Sequence, residues 1–585
     1  MTIDLYASCP CGSGKKFKWC CQPIHAEIEK AIRLDADGQH EAALRLMEGI
    51  TSEHASNPEA WGRQAQLLYQ NDKVEAAESA LDKAFAINPN YPFGMLLRAL
   101  FRQHEGEWAG ALLLYRKAAE LYDPDARDIL AQIFSSIGEL ELMANRPVAA
   151  QAALRMAFRF RPDDTLSQAL ENLFGEKSHL PAPARREYTF LPYLAQAPAE
   201  RRPAWENALR GAATGKLADA AHAFEDLTAS DSENAAAWYN LALVRAWLGD
   251  HLRALEALDR YVTLEPEEAK AATAWSLAEV LRLGDGMEDH ADYVEHDALY
   301  EIRNPQMLID FLQKWDREHR LAGVKSDEEQ QTLMGIVLDR EGGLVQAGSE
   351  EQPARFGTYF ALAGGYLRLW TTNREVLERI RLEAERSAGP SVSTPRLSRT
   401  HAKFADVFCD ALIFPLRTEE TEKAQTVIRE HGQRYLEEQW ARRSLKSLSG
   451  TTPLDAAGHA TLRRKLLGVV QFLETCAVGP KQLFDFDRLR HKLGLGTPSQ
   501  AAADAPPPAY DAMNVAELAA LSVENMDDTQ LDQAQKAAQK LDAQELGVHF
   551  AQALVSRPVA SESDRYATFA YLTQQALARG DLAAA

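Results

Sequence analysis

Small and large apolar residues recur along the first half of the chain with a fixed beat. Residues 58–89, PEAWGRQAQLLYQNDKVEAAESALDKAFAINP, place Trp61, Ala65, Ala77, Leu81, Ala84 and Pro89 in order. About 34 residues on, Met95, Ala99, Gly106, Ala111, Tyr115, Ala118 and a slightly displaced Pro124 take the corresponding places, and Gly138, Ala150, Leu154, Ala157 and Pro162 follow. A second run starts near Arg201 with Ala208, Gly215, Ala220 and Phe224, then Trp238, Leu241, Ala242, Gly249, Ala254, Leu258 and Pro266. Each unit reads as two antiparallel helices. Small residues let them approach, large ones fill the gaps, and Gly or Asn turns the chain between them. Residues 25–47 read as an atypical first unit. The pattern predicts about six units in two blocks, 24–170 and 201–285, joined by a Pro-rich connecting segment at 171–200.

The period and its residue pattern resemble the tetratricopeptide repeat. The resemblance implies a mainly α fold, a helical solenoid whose inner surface is lined by the first helix of each unit. It places groove positions at Gln66, Tyr69, Phe93, Leu96, Leu100, Trp205, Leu209, Tyr239 and Leu243. That set is aromatic and aliphatic, so the expected ligand is an extended or helical peptide with apolar anchors. The Lys/Asn clamp by which some members hold a C-terminal carboxylate is not visible; Asn240 stands alone. The pattern residues are buried by stacking, which argues against catalysis in this region.

Beyond residue 285 the beat fades. Residues 283–302, LGDGMEDHADYVEHDALYEI, concentrate Glu288, Asp289, His290, Asp292, Glu295, His296 and Asp297. His290 and His296 do not share a helical face, so the stretch reads as a solvated helix end within a helical connector over 286–324, followed by an amphipathic helix at 304–323. Alternation and short apolar runs at 331–341, 355–365 and 366–372 predict strands. Residues 374–387 read as the helix that packs on them, and 404–416 as a strand or a buried helix. Together they predict a small α+β domain at 325–418, with Cys409 a buried packing residue. No G-x-S-x-G, H-E-x-x-H or Gly-rich phosphate loop occurs. Residues 419–493 read as helical again, with Thr452 as an N-cap before Pro453 and Asp455. Residues 494–510 read as a flexible linker. The C-terminal segment 511–585 reads as helical and repeat-like, with Gly580 at a turn and Ala585 at a small-residue position, which predicts a native product continuing past Ala585.

The cysteines add candidate chemistry. Residues 8–23, SCPCGSGKKFKWCCQP, hold Cys9, Cys11, Cys20 and Cys21, and the rest of the chain holds only Cys409 and Cys476. Four thiolates suit the tetrahedral, closed coordination of structural zinc. The N-terminus lacks a secretory signal pattern. Without export, clustered thiols are metal ligands rather than disulfides, which places the protein in the cytoplasm. The GSGKK stretch does not meet the spacing of a nucleotide-binding P-loop. A net charge of −21 on 585 residues argues against broad nucleic-acid or anionic-membrane binding. No apolar run approaches the ~18–20 residues of a membrane span.

The stretch CPCGSGKKFKWCC resembles the SEC-C motif, the zinc knuckle at the tail of the SecA translocation ATPase. The resemblance implies zinc held by Cys9, Cys11, Cys20 and Cys21. It also implies a recognition role, because the SecA knuckle docks partners such as an acidic export chaperone. Lys15, Lys16 and Lys18 would present a basic face to acidic partners. The knuckle reads as an isolated terminal unit, so deletion of residues 1–23 is expected to leave the main melting transition within about 2 °C. The reading reached is a cytoplasmic zinc-binding adaptor for protein–protein interactions. An enzyme with its site in 325–418, or an accessory factor in protein export or translation by analogy with the SecA tail, are the alternatives.

Overall fold

The computed structural model describes residues 4–193, 198–327, 329, 331–339, 353–414, 421–477, 484–495, 510–541, 543–557 and 565–578. The chain forms two compact units, Met1–Ser178 with Glu187–Asp250, and His179–Arg186 with His251–Ala585.

The first unit is built from helical hairpins. α1 (Gln22–Ala36) pairs with α2 (His40–Glu53), α3 (Pro58–Gln70) with α4 (Val74–Ile87), α5 (Pro92–His104) with α6 (Trp108–Leu121), and α7 (Arg127–Met143) with α8 (Pro147–Phe160). The expected small residues sit at the close approaches: Ala65, Ala77, Ala84, Ala99 and Ala111 have no exposed surface. Starts are set locally, as where the Asn57 side chain accepts from Glu59 N–H at 3.0 Å and Pro58 takes the first helical place. The connecting segment is more structured than its proline content suggested. It holds α9 (Asp164–Phe174), the short α10 (Ala182–Arg185) of the second unit, and extended backbone at 187–193. Then come α11 (Arg202–Ala213), α12 (Leu217–Ser230) and α13 (Ala235–Trp247).

The second unit opens with α14 (His251–Leu264) and α15 (Glu268–Arg282) and continues into a sheet: β1 (Val294–Glu301), α16 (Pro305–Arg317), β2 (Leu321–Asp327), β3 (Thr332–Asp339), β4 (Ala354–Ala363), β5 (Tyr366–Thr371), α17 (Arg374–Ala388), β6 (Arg396–His401) and β7 (Ile413–Phe414). The strand order is β2-β3-β4-β5-β1-β6, antiparallel, with β7 paired to β4. α16 and α17 bring Leu308, Phe311, Trp315, Leu377 and Ile380 onto one face, against Ala298, Tyr300, Phe360 and Leu369. This corrects the reading of 283–302 as a linker, and with it the 286–324 connector and the domain start at 325. Residues 294–301 form a strand between β5 and β6. Its acids are buried because Arg368 on β5 pairs with both Glu295 and Asp297, so charge alone gave a false impression of solvent exposure. The run at 404–416 is neither long strand nor α-helix: Phe404–Ala411 is 3₁₀-helical and β7 follows.

The rest is helical as expected: α18 (Thr421–Arg434), a π-helical turn at Tyr435–Gln439, α19 (Pro453–Ala456), α20 (Ala460–Cys476), α21 (Phe486–Lys492), α22 (Val515–Ala519), α23 (Asp528–Lys540), α24 (Gln544–Val555) and α25 (Tyr566–Ala578). Thr452 caps α19, accepting from Asp455 N–H at 3.2 Å. Most of the linker assigned to 494–510, and the positions of Gly580 and Ala585, lie outside the described residues. α20 packs along α15 so closely that a Cβ on Gly468 would lie 2.6 Å from the Ala272 carbonyl oxygen.

The cysteine-rich stretch is not isolated. Ser8 and Lys16 form an antiparallel bridge, with Cys9 N–H donating to Lys15 O at 2.8 Å and Phe17 N–H to Ala7 O at 2.9 Å. α1 begins directly after Cys21. Cys9, Cys11, Phe17 and Cys21 share one buried cluster with Ala84 and Tyr91 of the hairpins. Asn88 Nδ2 donates to Cys11 O at 3.0 Å. Gly12, at φ +71°, lies so near the α4–α5 connection that a Cβ would meet Pro92 Cδ at 3.0 Å and Asn90 O at 3.2 Å. The knuckle covers apolar surface of the hairpins that would otherwise face water.

Three outcomes are expected for stability. Deleting residues 1–21, or substituting Gly12→Val, lowers the first calorimetric transition by more than ~4 °C, the scale of losing a kcal/mol or two from a unit of this size; a shift inside 2 °C would restore the isolated knuckle. Gly468→Ala destabilises the second unit by ~1–3 kcal/mol in urea unfolding through overpacking. Gly49→Ala in α2, where nothing lies within 4 Å of the added Cβ, is neutral or stabilising by up to ~1 kcal/mol.

Candidate functional site

The four N-terminal cysteines converge. Their Sγ atoms all lie within 4.8 Å of one another, and three of the four residues are buried. Cys9 and Cys11 approach to 3.4 Å, Cys11 and Cys20 to 3.4 Å, and Cys20 and Cys21 to 3.8 Å. A tetrahedral ion with metal–sulfur bonds of ~2.3 Å sets its ligands ~3.8 Å apart, so the donor set and its spacing fit such an ion. The thiol electrostatics agree. Hydrogen-bond interactions with Cys21 and Cys9 hold Cys11 down at about 2. Cys9 is pushed up to about 12, chiefly by its hydrogen bond with Cys11, and Cys21 is pushed up by its interactions with Cys11 and Cys9 and by burial. The sulfurs thus hold their protons unequally. A divalent cation at the centre would take the place of those protons. The four sequence-assigned ligands are therefore brought together, and could hold a metal ion. A second group, Asp285, Glu288 and His401, also comes within 4.8 Å, but exposed acids of this kind are common without an ion.

The outer side of the knuckle carries the predicted basic face. Lys15, Lys16 and Lys18 are exposed. Lys18 Nζ donates to Tyr6 OH at 3.2 Å and lies near the Trp19 ring. Leu5, Tyr6 and Trp19 are exposed beside it, Trp19 at 64%.

The predicted groove residues divide. In the first block, Gln66, Tyr69, Phe93 and Leu100 are half-buried. Tyr69 stacks on Phe101 with ring centres 3.8 Å apart, and the Arg63 guanidinium lies 3.8 Å over Phe93. Leu96, by contrast, is buried in the hairpin core. In the second block Leu243 is buried, and Trp205 is 1% exposed, packed between Tyr193 and Phe224. Leu96, Trp205 and Leu243 therefore cannot meet a ligand as they stand: they are packing residues. Leu209 and Tyr239 are half-buried.

What covers the second block is the chain itself. Residues 187–193 run extended beside α8, α11 and α13. Asn240 on α13 clamps them: its Oδ1 accepts from Leu191 N–H at 2.8 Å, and its Nδ2 donates to Leu191 O at 3.0 Å. Phe190 packs on Trp247 and Phe224, with ring centres 4.8 and 6.1 Å away. Glu187 pairs with Arg155 at 2.9 Å. A cavity of about 210 Å³ remains beside this strand, lined by residues including Gln151, Arg159, Thr189, Leu209 and Trp247. One side-chain amide satisfying both backbone groups of one residue is sequence-independent recognition of extended polypeptide. Sequence reading passed over Asn240 because it sought a paired carboxylate clamp. The available signal was the Tyr188–Phe190 alternation across a segment that otherwise reads as loop. Trp61 and Trp238 play the same part in their hairpins, each indole donating to a carbonyl six residues upstream, Ala55 O at 2.9 Å and Ser232 O at 2.8 Å. Two places after the tryptophan stand Arg63 in the first block and Asn240 in the second.

In the sheet region Cys409 is 1% exposed, beside Tyr359 and Asp406, and burial pushes its thiol well up. It is a packing residue.

The tetratricopeptide-repeat family profiles match residues 36–99 and 207–269. No curated protein matches the chain. Among solved structures the chain is similar to YrrB, described as a TPR protein with an unusual peptide-binding site, at 18% identity over 39% of this chain and 96% of that one, with a TM-score of 0.19. It is also similar to yeast Tom70, at 13% identity over 96% of this chain and 94% of that one, with a TM-score of 0.16. Residues 36–99 and 207–269 are tetratricopeptide repeats, the helical hairpins of a scaffold for protein partners.

Proposed function

We propose that this chain is an adaptor that captures extended polypeptide segments on its repeat surface and is braced at its N-terminus by a SEC-C-type zinc knuckle. The observation that carries the reading is the Asn240 clamp: the repeats already hold an extended strand, residues 187–193, by main-chain hydrogen bonds and aromatic anchoring. A partner segment of the same chemistry, aromatic and aliphatic at alternate places, suits the same face. Gln66, Tyr69, Phe93 and Leu100 offer a second such face in the first block. Zinc is the metal that four clustered thiolates favour. Lys15, Lys16 and Lys18, with Trp19 beside them, form a docking face for an acidic partner, sensitive to salt. The free thiol set supports a cytoplasmic setting, where such groups stay reduced.

Purified protein is expected to carry about one zinc per chain. Cobalt in its place should give the intense visible bands of a tetrahedral thiolate site, absent from a Cys9→Ser/Cys20→Ser variant. Zinc near zero in wild type, or unchanged in that variant, removes the metal centre.

The groove is tested with a fluorescent peptide of residues 187–193, EYTFLPY, against the full chain. In wild type the tethered strand competes at high effective concentration. A Phe190→Ser/Leu191→Ser variant, with the cis strand weakened, should bind the peptide at least ~10-fold more tightly. Adding Asn240→Ala should cost ~1–3 kcal/mol of that binding by leaving the peptide backbone unmatched. Equal affinity in wild type and the weakened variant would refute capture at this face.

A further inference from the structure

The second unit contains a large polar cavity, of about 680 Å³, that the repeats and the knuckle do not explain. It lies between the ends of β1, β3 and β4, the first turn of α17, and the π-helical turn after α18. Four arginines reach it: Arg355 from β4, Arg374 and Arg379 from α17, and Arg443 beyond the π turn. They come from three separate places in the sequence, in a chain with 85 acidic and 64 basic residues.

The lining carries four guanidiniums against the three carboxylates Asp339, Glu375 and Asp410, a surplus of one positive charge. Arg379 is paired with Asp339. Arg443 donates to the Asp292 backbone oxygen at 2.8 Å and lies over Tyr293. Asp410 accepts from Asn373 Nδ2 at 3.1 Å, and Glu375 is exposed on the first turn of α17. Arg355 and Arg374 are left: neither makes a side-chain hydrogen bond or ion pair among the described residues. Their field is felt by the histidines around them. His296, in the cavity, is held below the usual imidazole range by burial, then by Arg374 and Arg399. His431 is held down by burial, then by Arg355 and Arg434. Both guanidiniums can pair bidentately with phosphate oxygens. The fifteen-residue helix α17 starts at Arg374, so its dipole adds positive potential at the same end. The remaining wall mixes the polar Thr372, Asn373 and Gln439 with the aromatic Phe356, Tyr435 and Trp440, each of these three at least nine-tenths buried. Insertion of a π turn into a helix is favoured where side chains must be aimed at a ligand.

We infer that this cavity binds a phosphorylated small molecule, its phosphate held by Arg355 and Arg374 and its organic part against Phe356, Tyr435 and Trp440. The volume lies within the ~300–1,000 Å³ usual for small-ligand sites, and leaves room beyond a bare phosphate. This site is independent of peptide capture and of the metal centre.

Inorganic pyrophosphate is the probe, titrated calorimetrically into the full chain at ~0.15 M salt, with sulfate as the comparison anion. One site per chain is expected, with Kd below ~1 mM and sulfate weaker. Arg374→Gln and Arg355→Gln should each weaken pyrophosphate ~10-fold or more, while Arg386→Gln, exposed in the last turn of α17, should leave it unchanged. Arg374 is itself exposed, so its variant keeps the fold, which near-UV circular dichroism checks. Bound pyrophosphate should also raise the His296 imidazole pKa in an NMR titration, by offsetting the guanidinium field. Absence of both binding heat and the His296 shift overturns the inference. So does wild-type affinity in both cavity variants, or an equal loss in Arg386→Gln, which would mark a diffuse surface field.

Discussion

A helical hairpin of this kind cannot bury its apolar stripe alone. Each one is completed by the next, so every block has an inner surface and an end that water reaches unless something covers them. Much of what distinguishes this chain answers that constraint. At the start of the first block the cover is the cysteine knuckle, whose Cys9, Cys11, Phe17 and Cys21 are buried with Tyr91 and Ala84. In the second block it is the strand at 187–193, tied down by Asn240 and stacked on Trp247. A cluster of four thiols and a stretch of apparent loop thus serve as packing elements as well as candidate binding elements.

Covering by a tethered strand has a functional consequence. The Asn240 amide matches backbone groups, which every polypeptide offers, so under the proposed capture affinity at that face would be set by what fills the places of Phe190 and its neighbours and by how readily the resident segment leaves. The first block has no such clamp. Arg63 stands two places after the repeat tryptophan there, paired with Glu59 at 2.7 Å and resting on Phe93. The two blocks therefore present different chemistry on a common frame.

Charge is distributed with the same locality. The chain is acidic overall, yet positive side chains gather at the knuckle face and in the sheet-domain cavity. Elsewhere buried guanidiniums are matched, as where Arg320 meets Glu383 with both nitrogens at 2.7 and 3.0 Å. Against that background Arg355 and Arg374 stand out: among the described residues neither makes an ion pair, and both line the cavity, Arg355 half-buried and Arg374 exposed.

Periodicity alone determined the hairpins, because a close helix pair admits only small residues at fixed places, and Ala65, Ala77 and Ala99 mark them without reference to the rest of the fold. Alternation and short apolar runs marked β3, β4 and β5, a helical pattern marked α17, and the cysteine spacing marked a thiol cluster that could hold a metal ion. It missed β1, although Val294, His296, Ala298 and Tyr300 alternate with polar neighbours, because Glu295 and Asp297 read as solvated until Arg368 is placed beside them. β2 and β6 were missed because most of their side chains stay exposed. Only the tertiary structure decided that Trp205 and Leu243 are packing rather than groove residues, that the knuckle is docked, that Asn240 holds Leu191, and that arginines from three distant segments share one cavity. Local patterns record which face of an element is buried. They carry no record of what buries it, since that partner comes from a distant part of the chain.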